Sequence, residues 1–171
     1  MRLEWIMYAN NMITFHEIYE RHSKDVYRYA FWLSGSADDA DDITSETFAR
    51  VWVGREEIRT ETVKAYLFAI ARNIYLKGLR HTKRQADLTP FHADPKPVPE
   101  QQVESRLELD RAMQAIQSLP ETDRAAFLLR VQHELPYEEI ARILQLPLTT
   151  IKVKIHRARL KLAAQEIGVN E

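Results

Sequence analysis

Tyr137-Glu138-Glu139-Ile140-Ala141-Arg142-Ile143-Leu144-Gln145-Leu146-Pro147-Leu148-Thr149-Thr150-Ile151-Lys152-Val153-Lys154-Ile155-His156-Arg157-Ala158-Arg159-Leu160-Lys161-Leu162 is the stretch on which the rest of the chain is organised. Tyr137, Ile140, Ala141 and Leu144 fall at helical spacing on one face, residues 145–148 interrupt, and Ile151, Ile155, Ala158 and Leu162 resume the period. Two short amphipathic helices joined by a tight turn are expected, a helix-turn-helix. The second helix is expected to open at Thr149, whose hydroxyl can cap free backbone N–H groups. Its other faces carry Lys152, Lys154, His156, Arg157, Arg159 and Lys161, cations that suit a polyanion. A recognition helix lays its N-terminal residues against base edges while Lys and Arg hold phosphates. Thr150, Lys152 and Val153 are therefore the candidate readers, and Arg157, Arg159 and Lys161 the candidate phosphate contacts. A solvated helix in an ordinary bundle carries the same pattern, so this stretch alone leaves both readings open.

A chain of 171 residues, 45% hydrophobic and 29% charged, has the composition of a soluble globular protein able to bury one good core or two small ones. Its formal net charge of −1 means that any affinity for nucleic acid must come from local basic surfaces. Charge is segregated accordingly: Asp38, Asp39, Asp41, Asp42 and Glu46 crowd one segment, and Lys77, Arg80, Lys83 and Arg84 another. The absence of cysteine excludes disulfides, thiolate zinc sites and a cysteine nucleophile, and is compatible with a reducing cytoplasm. No apolar run approaches the roughly 20 residues of a membrane span, so direct membrane insertion is not expected. Residues 1–14 are read as an N-terminal tail or an added helical turn, with Met7 and Met12 as further candidate starts.

The first half reads as helices. Phe15, Ile18, Tyr19, His22, Val26, Tyr29, Ala30 and Leu33 keep a helical period that Ser34-Gly35-Ser36 ends. A second helix over about 37–52 places its acids early, where they suit the positive end of the helix dipole. Beside that reading stands a docking surface, because crowded carboxylates repel one another and are better tolerated when a basic partner neutralises them. After a polar connection over 54–62, with Thr60 or Thr62 as a cap, a third helix over about 63–84 is expected to bury Val63, Tyr66, Leu67, Ile70, Ala71 and Ile74. Tyr66, Asn73, Lys77, Arg80 and Arg84 align along one edge of it at about 100° per residue. An aromatic ring, an amide and several cations suit an unstacked strand, and equally a core tyrosine beside a solvated helix end. Pro90, Pro95, Pro97 and Pro99 mark 86–102 as a linker. Helices then resume through Val103, Leu107, Leu109, Met113 and Ile116, stop at Leu119-Pro120, and continue through Phe127, Leu128 and Val131 as support for the hairpin. The fold class is all-α: two small helical domains, 15–85 and 103–171, joined by a proline-rich linker.

Together these parts resemble the bacterial extracytoplasmic-function sigma factors of RNA polymerase. The resemblance covers nearly the whole chain after about Thr14. It rests on Asp38-Asp39-Ala40-Asp41-Asp42-Ile43 with Glu46-Thr47-Phe48 and Trp52, on Tyr66-Leu67-Phe68-Ala69-Ile70-Ala71-Arg72-Asn73, and on Leu119-Pro120 followed by Tyr137-Glu138-Glu139-Ile140-Ala141, Ile151-Lys152 and His156-Arg157-Ala158-Arg159. It implies a region 2-like domain that binds core polymerase and the minus-ten element, and a region 4-like domain that binds the minus-thirty-five element. Asp38, Asp39, Asp42, Ser45, Glu46 and Arg50 are then the polymerase-docking residues. Tyr66, Arg72, Asn73, Lys77, Arg80 and Arg84 hold the unstacked non-template strand, Asn73 beside a flipped base in a pocket shaped by 54–62. Thr149, Thr150, Lys152, Val153, Lys154, His156, Arg157 and Arg159 face duplex DNA. Departures from the family pattern are Ser45 for glutamine, Tyr66 for tryptophan, Gln145 for the glycine of the hairpin turn, Thr149 for a small residue and Val153 for serine, and they bear on promoter sequence.

The implied function is a sigma factor that binds core RNA polymerase, directs it to promoters and helps melt the minus-ten region by capturing bases. It has no catalytic residues, no metal and no cofactor, and is cytoplasmic. There is no Gly-rich phosphate loop, and base capture needs no ATP. Family members are commonly held by an anti-sigma factor, so one is expected here. Any self-regulatory module is expected in the short N-terminal tail or not at all. A stand-alone regulator binding duplex DNA as a dimer is the alternative, and a metal enzyme using Asp38, Asp39, Asp41 and Asp42 with His16 or His22 is a further rival. The enzyme fits poorly, since consecutive helical carboxylates point to different sides.

Overall fold

The computed structural model describes residues 5–8, 11–54, 62–85 and 103–167. Its helical units are α1 (Phe15–Ser34), α2 (Ala37–Val53) and α3 (Val63–Gln85) in the first half, and α4 (Val103–Gln117), α5 (Glu121–Val131), α6 (Tyr137–Leu144) and α7 (Leu148–Ile167) in the second. The expected all-α class holds for these units, with one correction at the N-terminus. In place of a tail or helical turn, β1 (Trp5–Tyr8) and β2 (Asn11–Thr14) pair antiparallel, with Trp5 opposite Thr14. The linker 86–102 and most of the 54–62 connection lie outside the described residues.

Local chemistry sets the helix ends. Thr14 caps α1 in a reciprocal box: the Glu17 N–H donates to its hydroxyl at 3.2 Å, and its own N–H donates to the Glu17 carboxylate at 2.8 Å. Gly35 ends α1 at φ 78, a left-handed conformation that glycine adopts without a Cβ penalty. Ser36 then caps α2 by accepting the Asp39 N–H at 3.2 Å, as the Ser-Gly-Ser segment predicts. Thr62 accepts the Ala65 N–H at 3.1 Å at the start of α3, and each such cap contributes about 1 kcal/mol.

The apolar stripes of α1, α2 and α3 meet around Tyr29, Leu33, Phe48, Leu67, Phe68 and Ile70, all at most 3% exposed. In the second half α5, α6 and α7 enclose Leu129, Ile140, Ile151 and Ile155. These two cores are continuous. Helix α5 lies against α1 and α6 against α3, and the loop residue His133 inserts its ring against Phe68, centroids 4.5 Å apart, and Tyr29, 5.9 Å apart. The C-terminal end of α1 has no basic residue of its own in its last turn. Arg124 of α5 supplies one from the other half, donating to the Leu33 carbonyl at 2.7 Å, where a cation suits the negative end of the helix. Gln117 donates to the adjacent Trp32 carbonyl at 2.8 Å.

The amphipathic start of α4 does not support the hairpin as expected. Leu107 and Leu109 are 50% and 43% exposed, α7 is held mainly by α5, and α6 is held by α3 and α5 together.

Candidate nucleic-acid interface

Helix α2 turns Ile43, Thr47, Phe48 and Val51 inward, which leaves Asp38, Asp39, Asp41, Asp42, Ser45 and Glu46 exposed on the opposite side. Arg50, one turn beyond Glu46, donates to its carboxylate from Nε at 3.0 Å and again from Nη2. An open cleft of about 370 Å³ between α2 and α3 is lined by Asp39, Asp42, Glu46, Ile74, Lys77 and His81. The acid edge is continuous and faces solvent. Among the described residues no three His, Cys, Asp or Glu side chains converge as a metal site would require.

The edge predicted along α3 divides in the structure. Asn73, Lys77 and Arg80 are exposed and fall on one face of the helix, with Lys77 at the rim of the α2–α3 cleft. Tyr66 is 9% exposed and belongs to the core. Arg72 turns toward the second half, where it pairs with Glu121 in two parallel hydrogen bonds. Arg84 lies on α3, but its side chain is outside the described residues.

Helix α7 begins one residue earlier than expected, at Leu148, so Thr149 sits inside its first turn and is not the residue that precedes the helix. The turn before it is closed by Gln145 at φ 54, a left-handed position at which the family pattern has glycine. Ile151, Ile155 and Ala158 are buried, and Thr149, Lys152, Val153, His156, Arg157 and Arg159 are exposed, with Thr150 half-buried among them. Thr149, Thr150, Val153, Lys154 and Arg157 line a shallow depression of about 230 Å³.

Two of the cations that look alike in sequence are already engaged by the protein's own groups, Lys154 half-buried and Lys161 at the surface. Lys154 donates to the Asp123 carboxylate at 2.9 Å, and Lys161 to the Ser118 carbonyl at 2.5 Å. They stand seven residues apart on the flank of α7 that faces α5. Glu121, Asp123, Arg124 and His133 were invisible as site residues in the sequence. Glu121 and Asp123 read there as ordinary first-turn acids, and no spacing marks them as partners of Arg72 and Lys154.

Comparisons with known proteins agree with this architecture. Residues 18–85 match Sigma-70 region 2, and residues 109–162 match Sigma-70, region 4. The chain is 36% identical over 157 residues to the ECF RNA polymerase sigma factor SigE of Mycolicibacterium smegmatis, covering 88% of this chain and 61% of that protein. It is 33% identical over 139 residues to EcfG of Rhodopseudomonas palustris, covering 80% of this chain and 76% of that one. The sigma factor RpoE of Bartonella quintana, solved in complex with the anti-sigma factor NepR, superposes with a TM-score of 0.74 at 25% identity, covering 88% of this chain and 95% of RpoE. With both regions matched in order on the helices that carry the acid edge and the basic hairpin, the chain belongs to the extracytoplasmic-function sigma factors, the RNA polymerase subunits that direct the enzyme to promoters.

Proposed function

We propose that each exposed surface performs one step of promoter use. The acid edge of α2, formed by Asp38, Asp39, Asp42, Ser45 and Glu46 with Arg50 beside it, docks on a basic face of core polymerase. Helix α7 enters the major groove of duplex DNA, with Thr149, Thr150, Lys152 and Val153 toward base edges and His156, Arg157 and Arg159 toward phosphates. Asn73, Lys77 and Arg80 of α3 hold the unstacked non-template strand, with Arg84 further along the same helix and Tyr66 supporting the edge from the core. Arg72 joins them when Glu121 releases it. Extruding a base costs a few kcal/mol, and stacking contributes about 1–3 kcal/mol per base in return, so the protein melts DNA by capture and needs neither an active site nor a cofactor.

The observation that carries this reading is that one helical framework exposes an acid edge on α2 and cationic side chains on α3 and α7, with Lys77 of α3 meeting the acids across the α2–α3 cleft. An anti-sigma factor is part of the proposal. RpoE was solved with such a partner, and here Tyr19, Trp52 and Val53, 45%, 52% and 55% exposed, flank the acid edge as an apolar surface for one. The site of action is the cytoplasm. No helix among the described residues is long and apolar enough to cross a membrane.

Permanganate reactivity of unpaired thymines tests the capture step. Core polymerase with this protein is expected to expose thymines upstream of the start site, and an Asn73→Ala, Lys77→Ala variant to bind the same duplex without exposing them. Equal reactivity with the variant sinks the assignment of α3.

A further inference from the structure

Asp123 is 1% exposed, in the first turn of α5, and its carboxylate faces the flank of α7. One oxygen accepts the Lys154 ammonium at 2.9 Å. The other has no hydrogen-bond partner among the described residues, and the Arg157 guanidinium stands 4.0 Å from it. A buried carboxylate is costly unless it is paired, so this one fixes where the nearby cations sit. Lys154 is 21% exposed, whereas Arg157 is 64% exposed and reaches past the carboxylate to solvent. Lys154 nevertheless lines the same depression as Thr149, Thr150, Val153 and Arg157. Released from Asp123, its ammonium would emerge on the face that meets DNA.

We infer that Asp123 is a positioning residue for duplex reading: it withdraws Lys154 from the phosphate-contacting cations and seats α7 so that Val153 and Arg157 lead. This rests on the reading that α7 docks on duplex DNA. A cation held internally adds nothing to non-specific attraction, while its ion pair fixes the rotation of the helix about its own axis. Asp123 thus favours discrimination over affinity.

The test measures binding of the full chain to a random-sequence 30-bp duplex and to a duplex selected from a randomised library, across a range of KCl concentrations. Each phosphate contact contributes about 0.9 to the slope of log affinity against log salt. In Asp123→Asn the slope is expected to steepen by about 0.9, with tighter binding to the random duplex and a preference for the selected duplex reduced by about threefold or more, in line with one added phosphate contact. A merely structural Asp123 would weaken binding to both duplexes. The double variant Asp123→Asn, Lys154→Met leaves no unpaired buried charge and is expected to keep the wild-type slope. A slope shallower by about 0.9 in that variant means that Lys154 already contacts phosphate and overturns the inference. An unchanged slope in folded Asp123→Asn overturns it as well. If Arg159→Gln leaves the wild-type slope unmoved, α7 does not dock on DNA, and the underlying reading falls together with the inference.

Discussion

Arg72 and Glu121 meet in a two-pronged ion pair that joins α3 to α5, Nε to Oε1 at 3.0 Å and Nη2 to Oε2 at 2.9 Å. The side chains are 11% and 21% exposed, so water screens the pair only in part, and the parallel fork fixes its geometry. A residue proposed to follow a DNA strand is thereby occupied by the half of the protein proposed to read duplex DNA.

Glu121→Ala is expected to lower stability by about 1–3 kcal/mol, the cost of leaving the half-buried Arg72 donors without their partner, seen as a lower urea midpoint. Freed of its partner, Arg72 is expected to tighten binding of a 15-nucleotide single strand severalfold at low salt, read by fluorescence anisotropy. Weaker strand binding at unchanged stability would remove Arg72 from the strand-holding set.

His133 makes the packing between the halves sensitive to acid. Its imidazole is held down to about 4, first by burial, then by repulsion from Lys64 and more weakly from Arg28, with Asp25 opposing them. The unfolded chain takes up this proton near the ordinary value of about 6.5, whereas the folded chain resists until about 4, so the unfolded state binds more protons in that window. Stability is therefore expected to rise with pH between about 4 and 6.5, and to be lost as pH falls through it. His22, shifted in the same direction mainly by burial, adds to the effect. Urea midpoints across this range are expected to change less steeply in His133→Leu than in the wild type; parallel profiles would assign the acid sensitivity to other groups.

Gln145 closes the α6–α7 turn at φ 54, where a side chain is strained and glycine is not. Gln145→Gly is expected to stabilise the protein by about 0.5–1 kcal/mol, after the greater freedom of glycine in the unfolded chain is counted. A destabilised variant would mean that contacts of the glutamine side chain outweigh the strain of its backbone.

The helix limits were legible because they depend on local chemistry. Ser34-Gly35-Ser36 named both the end of α1 and the cap of α2, Thr62 is the one of two candidate threonines that caps α3, and α7 starts a residue away from its expected cap. The exposed acid edge followed from period alone, since Ile43, Thr47, Phe48 and Val51 fix which side of α2 faces inward. What period does not reveal is which element covers which stripe. Tyr66 falls both in the apolar stripe and on the border of the polar edge, and its burial in the core bears out the stripe. Lys154 and Arg157 look equivalent in sequence, yet Lys154 is hydrogen-bonded to the buried Asp123 carboxylate at 2.9 Å while Arg157 stands 4.0 Å from it and is mostly exposed. The pairing of Trp5–Tyr8 with Asn11–Thr14 escaped because apolar residues over so short a run carry no clear period.

Promoter-directed transcription by bacterial core polymerase tests the assignment of this chain most directly, with the wild-type protein set beside Asp42→Arg, Glu46→Arg. Both substituted side chains are exposed, so the variant is expected to fold normally and to keep its affinity for duplex DNA. Discrete transcripts with the wild-type protein, and a loss of at least tenfold with the variant, are the expected outcome. Wild-type protein that yields no transcripts and does not bind core polymerase, while gripping duplex DNA as a dimer, would show that these surfaces do not work as a polymerase subunit.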